Sequence, residues 1–195
     1  MDLFFAFSLV FGYLAGSISS AILVCKLFGL PDPRTQGSHN AGATNVHRIG
    51  GKLAGFLTLL GDFLKTALPM VLVYKLDYGR PASLWVGVMA VIGHCYPIYF
   101  SFKGGKGVAS LMTVVSLVIS SFAILTIGTW LLTAYTFGRS SLASLLTISI
   151  IPVFGYHFKP ELFLPLCALS AVVLIRHSSN IINLFRGSEP LIVAK

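Results

Sequence analysis

The first segment that could do chemistry is a polar stretch, GSHNAGATNVHR, from residue 37 to residue 48. Its small residues let backbone N–H groups approach an anion closely, and its hydroxyl side chains add donors. The arginine that ends it can bind a phosphate through two parallel hydrogen bonds. An ordinary hydrophilic connecting loop is the alternative. We predict that the substrate-binding residues here are Ser38, Asn40, Thr44, Asn45 and Arg48, and that Ser38 is also a catalytic candidate.

A second segment, FKGGKG at residues 102–107, directly precedes an apolar stretch. Glycines and lysines ahead of a helix N-terminus form an anion site. The segment does not match a nucleotide-binding P-loop, because Gly107 stands where Ser or Thr must follow the lysine. A flexible, positively charged membrane anchor is the alternative. The predicted phosphate-binding residues are Lys103, Gly104, Gly105, Lys106 and Gly107.

Two shorter polar segments, residues 139–141 and residues 176–180, each combine an arginine with hydroxyl or amide groups. In the second, His177 and Asn180 share one face if the helix continues through them. Each segment taken alone is more typical of helix capping than of catalysis. The first adds Arg139, Ser140 and Ser141 to the predicted binding residues, and the second adds His177 and Asn180 as catalytic candidates.

Isolated ionisable residues also occur inside apolar stretches. His94 could donate to a phosphate, act as a base, or only pack between helices. Asp62 and Lys65 are three residues apart in the second apolar stretch, where charges are costly unless they face protein or water. We expect these two to form an ion pair, with a place in the site as the second interpretation.

Carboxylates are scarce beside the predicted phosphate-binding segments. Only Asp32 and Glu189 accompany them, far apart in sequence, which is too few for a two-metal enzyme. No HExxH or GxSxG motif occurs, and no histidine is followed by aspartate five residues later. We therefore expect no metal and no cofactor, with cationic side chains binding the phosphates.

The composition indicates which elements must position these residues. Of 195 residues, 55% are hydrophobic and only 10% are charged, which suits a bilayer better than water. The chain is predicted to be an all-α polytopic membrane protein, with residues 1–195 forming one integral membrane domain. The net charge of +8 comes from basic residues scattered between apolar stretches, which favours membrane orientation over nucleic-acid binding.

A helix needs about 20 apolar residues to cross a bilayer. The 30 uncharged residues 108–137 are too many for one upright span, so we predict two helices with a turn near Ser120; a single tilted helix is the alternative. The first stretch also extends too far for a signal peptide, so a retained helix is expected. Seven spans are predicted, within residues 3–30, 53–76, 82–100, 108–137 (two), 142–156 and 162–176.

Seven crossings place the N-terminus outside and the C-terminus in the cytoplasm, since cytoplasmic loops carry the excess of Lys and Arg. The outer side keeps three basic residues, Lys75, Arg80 and Lys159. The inner side carries ten, namely Lys26, Arg34, Arg48, Lys52, Lys103, Lys106, Arg139, Arg176, Arg186 and Lys195.

Three motifs in this order, GSHNAGATNVHRIGG, GHCYPIYFSFKGGKGVAS and HSSNIINLFRGSE, closely resemble the bacterial acyl-phosphate:glycerol-3-phosphate acyltransferase family (PlsY type). The resemblance covers essentially the whole chain. It implies a seven-helix enzyme of the bacterial cytoplasmic (inner) membrane, with its active site facing the cytoplasm. That enzyme would transfer a fatty acyl group from acyl phosphate to the 1-hydroxyl of glycerol 3-phosphate, giving lysophosphatidic acid and phosphate.

The resemblance also assigns roles by motif position. It implies important roles for Ser38, Arg48, His177 and Asn180, a glycerol-phosphate-binding role for the FKGGKG glycines, and a structural role for Glu189. The sequence departs from the family pattern at three positions. Ser19 replaces a common proline, His39 a common glycine, and Ser178 a usual basic residue.

An acyl phosphate is already activated, so a covalent enzyme intermediate is not required. We expect Arg48, Lys103 and Lys106 to share the phosphates, while Ser38, Asn45, Ser141, His177 and Asn180 orient the substrates. His94, His177 and a substrate phosphate remain open as the general base. The expected partners are glycerol 3-phosphate, acyl phosphate and membrane lipid, with no nucleic acid and with the chain as a monomer. A phosphate or organophosphate transporter is the competing class.

Overall fold

The computed structural model describes residues 2–192, and all its regular structure within them is helical. Met1 and residues 193–195 lie outside it, including Lys195 of the predicted inner basic set. Short 3₁₀ turns occur at Ile98–Phe100 and Pro160–Leu162. The α-helices within residues 2–192 are α1 (Leu3–Gly16), α2 (Ser20–Leu27), α3 (Ala43–Lys75), α4 (Gly79–Cys95), α5 (Val108–Val118), α6 (Ser120–Phe137), α7 (Ser140–Phe158), α8 (Phe163–Ile175) and α9 (Ser178–Phe185).

The described helices make the chain an integral multi-pass membrane protein. Within residues 2–192, five helical stretches are long and apolar enough to cross a bilayer, or six if α8 and α9, bent by 58°, are one broken span. The prediction of an all-α polytopic protein is confirmed. By length, the seven predicted spans are not all reached, because α5 has only 11 residues.

Residues 108–137 form two helices, as predicted, with the break at Ile119 just before the expected turn. The first predicted span corresponds to one candidate crossing, Leu3–Leu27, which consists of α1 and α2 with a break at residues 17–19. Small residues allow α1 to pack closely on α4, since a methyl group at Gly16 would collide with the backbone of Ala90. Gly93 likewise contacts the α1 backbone at Tyr13.

Residues 31–52, which separate the first two predicted spans, are not all loop. Helix α3 already begins at Ala43, and a break at Gly51, whose φ is +80°, separates its first two turns from the membrane-spanning part. Glycine adopts that conformation without steric cost. Because of the break, Asn45 and Arg48 belong to a short helical segment over the end of the bundle.

The hydrophobic core lies where α4, α5, α7, α8 and the first turn of α6 meet, with Leu84, Leu111, Phe122, Ile151 and Leu169 almost fully buried. Large apolar side chains elsewhere are exposed, among them Leu68, Ile124 and Leu132. An apolar exterior of this kind suits a lipid environment. The core therefore fixes the helix ends that carry the polar segments.

Candidate active site

The four polar segments singled out in the sequence meet around one cavity of about 570 Å³ at one end of the bundle. Residues from loops and helix ends far apart in sequence line it together. The predicted site residues in its wall are Ser38, Asn40, Thr44, Asn45, Arg48, His94, Lys106, Gly107, Ser140, Ser141, His177 and Asn180. Lys103, Gly104, Gly105 and Arg139 do not line it.

Among the described residues, four helices begin at this cavity: α3, α5, α7 and α9. Their N-cap residues, Gly42, Gly107, Arg139 and His177, make no side-chain capping hydrogen bond. The first N–H groups of a helix lack partners within the helix and carry a partial positive charge. Converging helix N-termini therefore offer an anion several donors without a metal ion.

The loop before α3 is built around the side chain of Asn45, which is 1% exposed. Its Oδ1 accepts from the Ser38 N–H at 2.8 Å. Its Nδ2 lies within hydrogen-bond distance of the carbonyl oxygens of Pro33 (2.8 Å), Gln36 (3.0 Å) and Asn40 (3.0 Å). Since the loop occupies the whole amide, Asn45 acts here by positioning Ser38 rather than by presenting polar atoms to a substrate.

His39, one of the departures from the family pattern, has a φ of +55°. This left-handed conformation favours glycine. The common glycine of the family therefore has a conformational reason at this position. The ring Nδ1 of His39 lies 3.3 Å from the Arg34 carbonyl oxygen within the same loop.

Arg176 holds the FKGGKG loop in place. Its Nε and one terminal nitrogen donate to the carbonyls of Gly105 and Gly104, each at 3.1 Å, and its guanidinium lies over the Tyr96 ring. The Gly105 N–H donates to the His94 carbonyl at 3.1 Å. The two glycines thus shape the loop with backbone groups that are already bonded, while Lys103 points to the exterior.

Lys106, in the same loop, lines the cavity. Burial lowers the pKa of its ammonium group; the Glu189 carboxylate opposes this shift, and the positive charges of Arg176 and Arg48 add to it. A partly desolvated ammonium beside further cations favours an anionic ligand. The structure thus divides the two lysines of the loop, with Lys106 inside the site and Lys103 outside it.

His177 is 2% exposed, and its Nδ1 lies 2.8 Å from the Val173 carbonyl oxygen. A carbonyl only accepts, so Nδ1 carries the proton in this contact, and Nε2 of the neutral ring is left as an acceptor. One helical turn later, the Asn180 Nδ2 donates to Glu189 Oε1 at 2.7 Å. Within residues 2–192, Asn180 Oδ1, Glu189 Oε2 and Ser141 Oγ are buried without hydrogen-bond partners. All three residues line the cavity.

The segment after α9 closes over the cavity. Arg48 donates to the carbonyls of Leu191 (2.6 Å) and Ile192 (3.2 Å). Arg139 Nε lies 3.4 Å from the Glu189 carbonyl oxygen. Arg139, predicted to bind phosphate, thus contacts the C-terminal segment instead of the cavity.

The deeper wall of the cavity contains Asp62 and His94. The Lys65 ammonium lies 2.9 Å from Asp62 Oδ1 and donates to the Ile18 carbonyl at 2.8 Å, so the predicted ion pair is confirmed. His94 Nδ1 is 3.4 Å from the same carboxylate oxygen, and the ring packs against Gly105. His94 therefore sits between a carboxylate and the glycine loop.

An apolar groove continues from the polar cavity along α5. Its floor is formed by Ala109, Met112, Thr113 and Ser116 of α5. Trp130 Nε1 donates to Ser144 Oγ at 3.2 Å, which secures one wall near the polar end. The walls carry large apolar side chains, Phe56, Leu59, Leu60 and Phe63 from α3 and Ile127, Trp130 and Leu131 from α6.

Sequence reasoning missed several of these features. Arg176 directly precedes His177, yet its role depends on carbonyls about 70 residues away. Glu189 could have been singled out in the sequence, because it is one of only two acidic residues beside the polar segments. The groove is visible in sequence only as the spacing of small and polar residues along α5. Among residues 2–192, no three His, Cys, Asp or Glu side chains come together as a metal site.

A family model described as "Glycerol-3-phosphate acyltransferase" matches residues 6–187 of the chain. The glycerol-3-phosphate acyltransferase of Photorhabdus laumondii is 47% identical over 182 residues, covering 93% of this chain and 83% of the relative. That of Pasteurella multocida is 45% identical over 189 residues, covering 97% of this chain and 94% of the relative.

Solved structures give the same result. The crystal structure of PlsY (YgiH), an integral membrane glycerol 3-phosphate acyltransferase, in its glycerol 3-phosphate form matches with a TM-score of 0.90 and 35% identity. The lysophosphatidic acid form of that enzyme matches with a TM-score of 0.88 and 34% identity. Each alignment covers 96% of this chain and 94% of the solved one.

Proposed function

Since the chain belongs to the glycerol-3-phosphate acyltransferase family, we propose that it transfers a fatty acyl group from acyl phosphate to the 1-hydroxyl of glycerol 3-phosphate. The products are lysophosphatidic acid and inorganic phosphate. The observation that carries this proposal is the junction of a cationic cavity, lined by four helix N-termini among the described residues, with an apolar groove. The cavity suits phosphates, and the groove suits a fatty chain.

Two phosphate groups must be bound at once, one from each substrate. Arg48 and Lys106 supply positive charge, and the uncapped N-termini of α3, α5, α7 and α9 supply N–H donors. Ser38, Thr44, Ser140 and Ser141 add hydroxyl groups in the same wall. This donor set supports phosphate binding by side chains and backbone, with no metal ion.

The chemistry is a direct displacement at the acyl carbonyl. The 1-hydroxyl oxygen attacks the carbonyl carbon, the carbonyl oxygen becomes negative, and the bond to the phosphate oxygen then breaks. N–H groups at a helix N-terminus stabilise the oxyanion, and holding both substrates in one cavity replaces a bimolecular encounter. The leaving phosphate is already a good leaving group, so no covalent enzyme intermediate is needed.

The attacking hydroxyl loses a proton during transfer. The contact of His177 Nδ1 with Val173 supports His177 as the base, because it leaves Nε2 unprotonated. His94 has the weaker geometry, since its Nδ1 faces Asp62 and its ring packs on Gly105. Asn180, held by Glu189, orients a substrate through its unpartnered Oδ1.

The proposal includes seven membrane crossings, with the N-terminus outside and the site facing the cytoplasm of a bacterial inner membrane. The start of α5 and the start of α7 line the same cavity, which supports α5 and α6 leaving this face and returning to it. The excess of basic residues on this side agrees with that orientation. The proposal also takes the chain to act as a monomer.

A transporter would place its anion site near the bilayer midplane, between repeats. Here the polar cavity lies at the helix ends, so the acyltransferase assignment is favoured. Purified protein supplied with glycerol 3-phosphate and either acyl phosphate or acyl-CoA tests the donor. We expect lysophosphatidic acid and released phosphate with acyl phosphate only, unchanged by a metal chelator. Product formation with acyl-CoA alone would refute the proposal.

A further inference from the structure

The apolar groove has a definable far end. Its floor residues on α5 occupy positions i, i+3, i+4 and i+7, counted from Ala109, so they share one helix face. Ser116 is the last of them and lies eight residues beyond Val108, which corresponds to about 12 Å along the helix axis. Ser116 is only partly buried, so its side chain borders open space.

The two walls end with large apolar side chains. On α3 the groove-lining residues end at Phe63, and on α6 the residue farthest from the cavity end of the helix is Ile127. Ile127 precedes Phe137, where α6 ends, by ten residues, or about 15 Å. Beyond Ser116, the next position on the same face, Ile119, is a buried core residue, so Ser116 is the last partly exposed residue of the floor.

The occupant that fits this groove is the fatty chain of the acyl donor and product. The groove is continuous with the cavity proposed to bind the phosphates, and Phe63, Ile127 and Leu131 of its walls are between 41% and 57% exposed on the apolar exterior. A chain lying in it would place its carbonyl among the helix N-termini and its tail along α5.

We propose that Ser116 determines the acyl chain length, because its small side chain keeps the far end of the groove open. This inference rests on the proposed function and adds a specificity-determining residue to it. A bulky side chain at Ser116 would fill the space that the last carbons of a long chain occupy. A chain short enough to end before Ser116 would be unaffected.

The test compares Ser116→Phe with Leu117→Phe in lipid nanodiscs. Leu117 is the next residue of α5, is 41% exposed and does not line the groove. The measured quantity is kcat/KM for hexadecanoyl phosphate divided by that for decanoyl phosphate, each normalised to the wild type so that partitioning of the donors cancels. We expect Ser116→Phe to lower this ratio about tenfold or more, because a single methylene group that fits a hydrophobic pocket poorly already lowers kcat/KM by about tenfold. The ratio of Leu117→Phe should stay within about twofold of the wild type.

An unchanged ratio in Ser116→Phe, or an equal loss with both donors, would overturn the assignment. An equal fall of the ratio in Leu117→Phe would also overturn it, because a general disturbance of α5 would then explain the effect. If Ser116→Phe does not fold, Ser116→Leu gives the same comparison with a smaller side chain. A wild type that uses glycerol 3-phosphate with acyl-CoA but with neither acyl phosphate would refute the proposed donor, an outcome distinct from failure of the chain-length assignment alone.

Discussion

Two groups of charged side chains lie inside this bundle, one buried and one mostly half-buried, and they differ in how their charges are compensated. The balanced cluster, Asp62, Lys65 and His94, contains an acid and a base 2.9 Å apart. The phosphate cluster, Arg48, Lys106, Arg176 and Glu189, contains three cations and one carboxylate. In a low-dielectric setting, paired charges stabilise one another, whereas a surplus of positive charge favours the binding of an anionic ligand.

The difference teaches how to separate scaffold from site. Lys65 completes its contacts inside the protein by donating to the broken backbone between α1 and α2 at Ile18. Asp62 Oδ1 and His94 Nδ1 make no hydrogen bond of regular geometry, but they lie 3.4 Å apart, and Asp62 Oδ1 also has the Lys65 ammonium at 2.9 Å. Near the phosphate cluster, by contrast, Ser141 Oγ, Asn180 Oδ1 and Glu189 Oε2 are buried without partners within the described residues and belong to residues that line the cavity. We therefore assign stability to the first cluster and substrate binding to the second.

The largest expected effect is on stability and comes from breaking the balanced cluster. Asp62→Asn leaves the Lys65 ammonium buried without its counter-charge and should cost about 3–5 kcal/mol. Thermal unfolding in detergent measures the loss. The double variant Asp62→Asn/Lys65→Met should recover much of it, because no uncompensated charge remains. Equal instability of the single and double variants would contradict a stabilising role of the pair.

A second test removes the proposed base. His177→Asn keeps a donor near Nδ1 for the Val173 carbonyl, whereas His177→Gln places its amide nearer the position of Nε2; neither can accept the proton. Both should lower kcat about 10²-fold, equivalent to roughly 2.7 kcal/mol, with little change in melting temperature. A loss confined to KM in both variants would rule out His177 as the base.

The third prediction concerns the pH dependence that Lys106 imposes. Burial lowers the pKa of this ammonium, so its charge is present below that pKa and is lost as the pH rises through it. We expect kcat/KM of the wild type to fall on the alkaline side. In Lys106→Arg the fall should move to higher pH, because arginine stays charged to a pH of about 12.5. An identical alkaline limb in both proteins would contradict a role for the Lys106 charge.

The smallest expected effect is at Lys103, which the sequence also predicted to bind phosphate. Its side chain is exposed and does not line the cavity, so Lys103→Ala should leave KM for glycerol 3-phosphate within about twofold. Lys106→Met in the same loop should raise KM about tenfold or more, because the loss of a hydrogen bond to a charged group weakens binding by about that factor. Steady-state kinetics of both variants measures the two KM values. A similar rise in KM for Lys103→Ala and Lys106→Met would show that Lys103 also binds the substrate.

The sequence predicted the helical, multi-pass architecture because long uncharged stretches have few alternatives to membrane helices. It also predicted the four polar segments that meet at the cavity. It placed the start of α3 too late, since Thr44, Asn45 and Arg48 resemble a loop in composition. The Arg176 contact with the glycine loop could not be predicted, because it depends on how segments distant in sequence pack. The Asn180–Glu189 pair could not be predicted either, because it depends on how the chain turns back after α9.

Binding of glycerol 3-phosphate is the most direct test of the contrast between the two clusters. Isothermal titration in detergent would compare the wild type with Lys106→Met and with Asp62→Asn/Lys65→Met. We expect Kd to rise about tenfold or more in Lys106→Met and to stay within about threefold of the wild type in the double variant. An unchanged Kd in Lys106→Met together with a large rise in the double variant would contradict the assignment of scaffold and site.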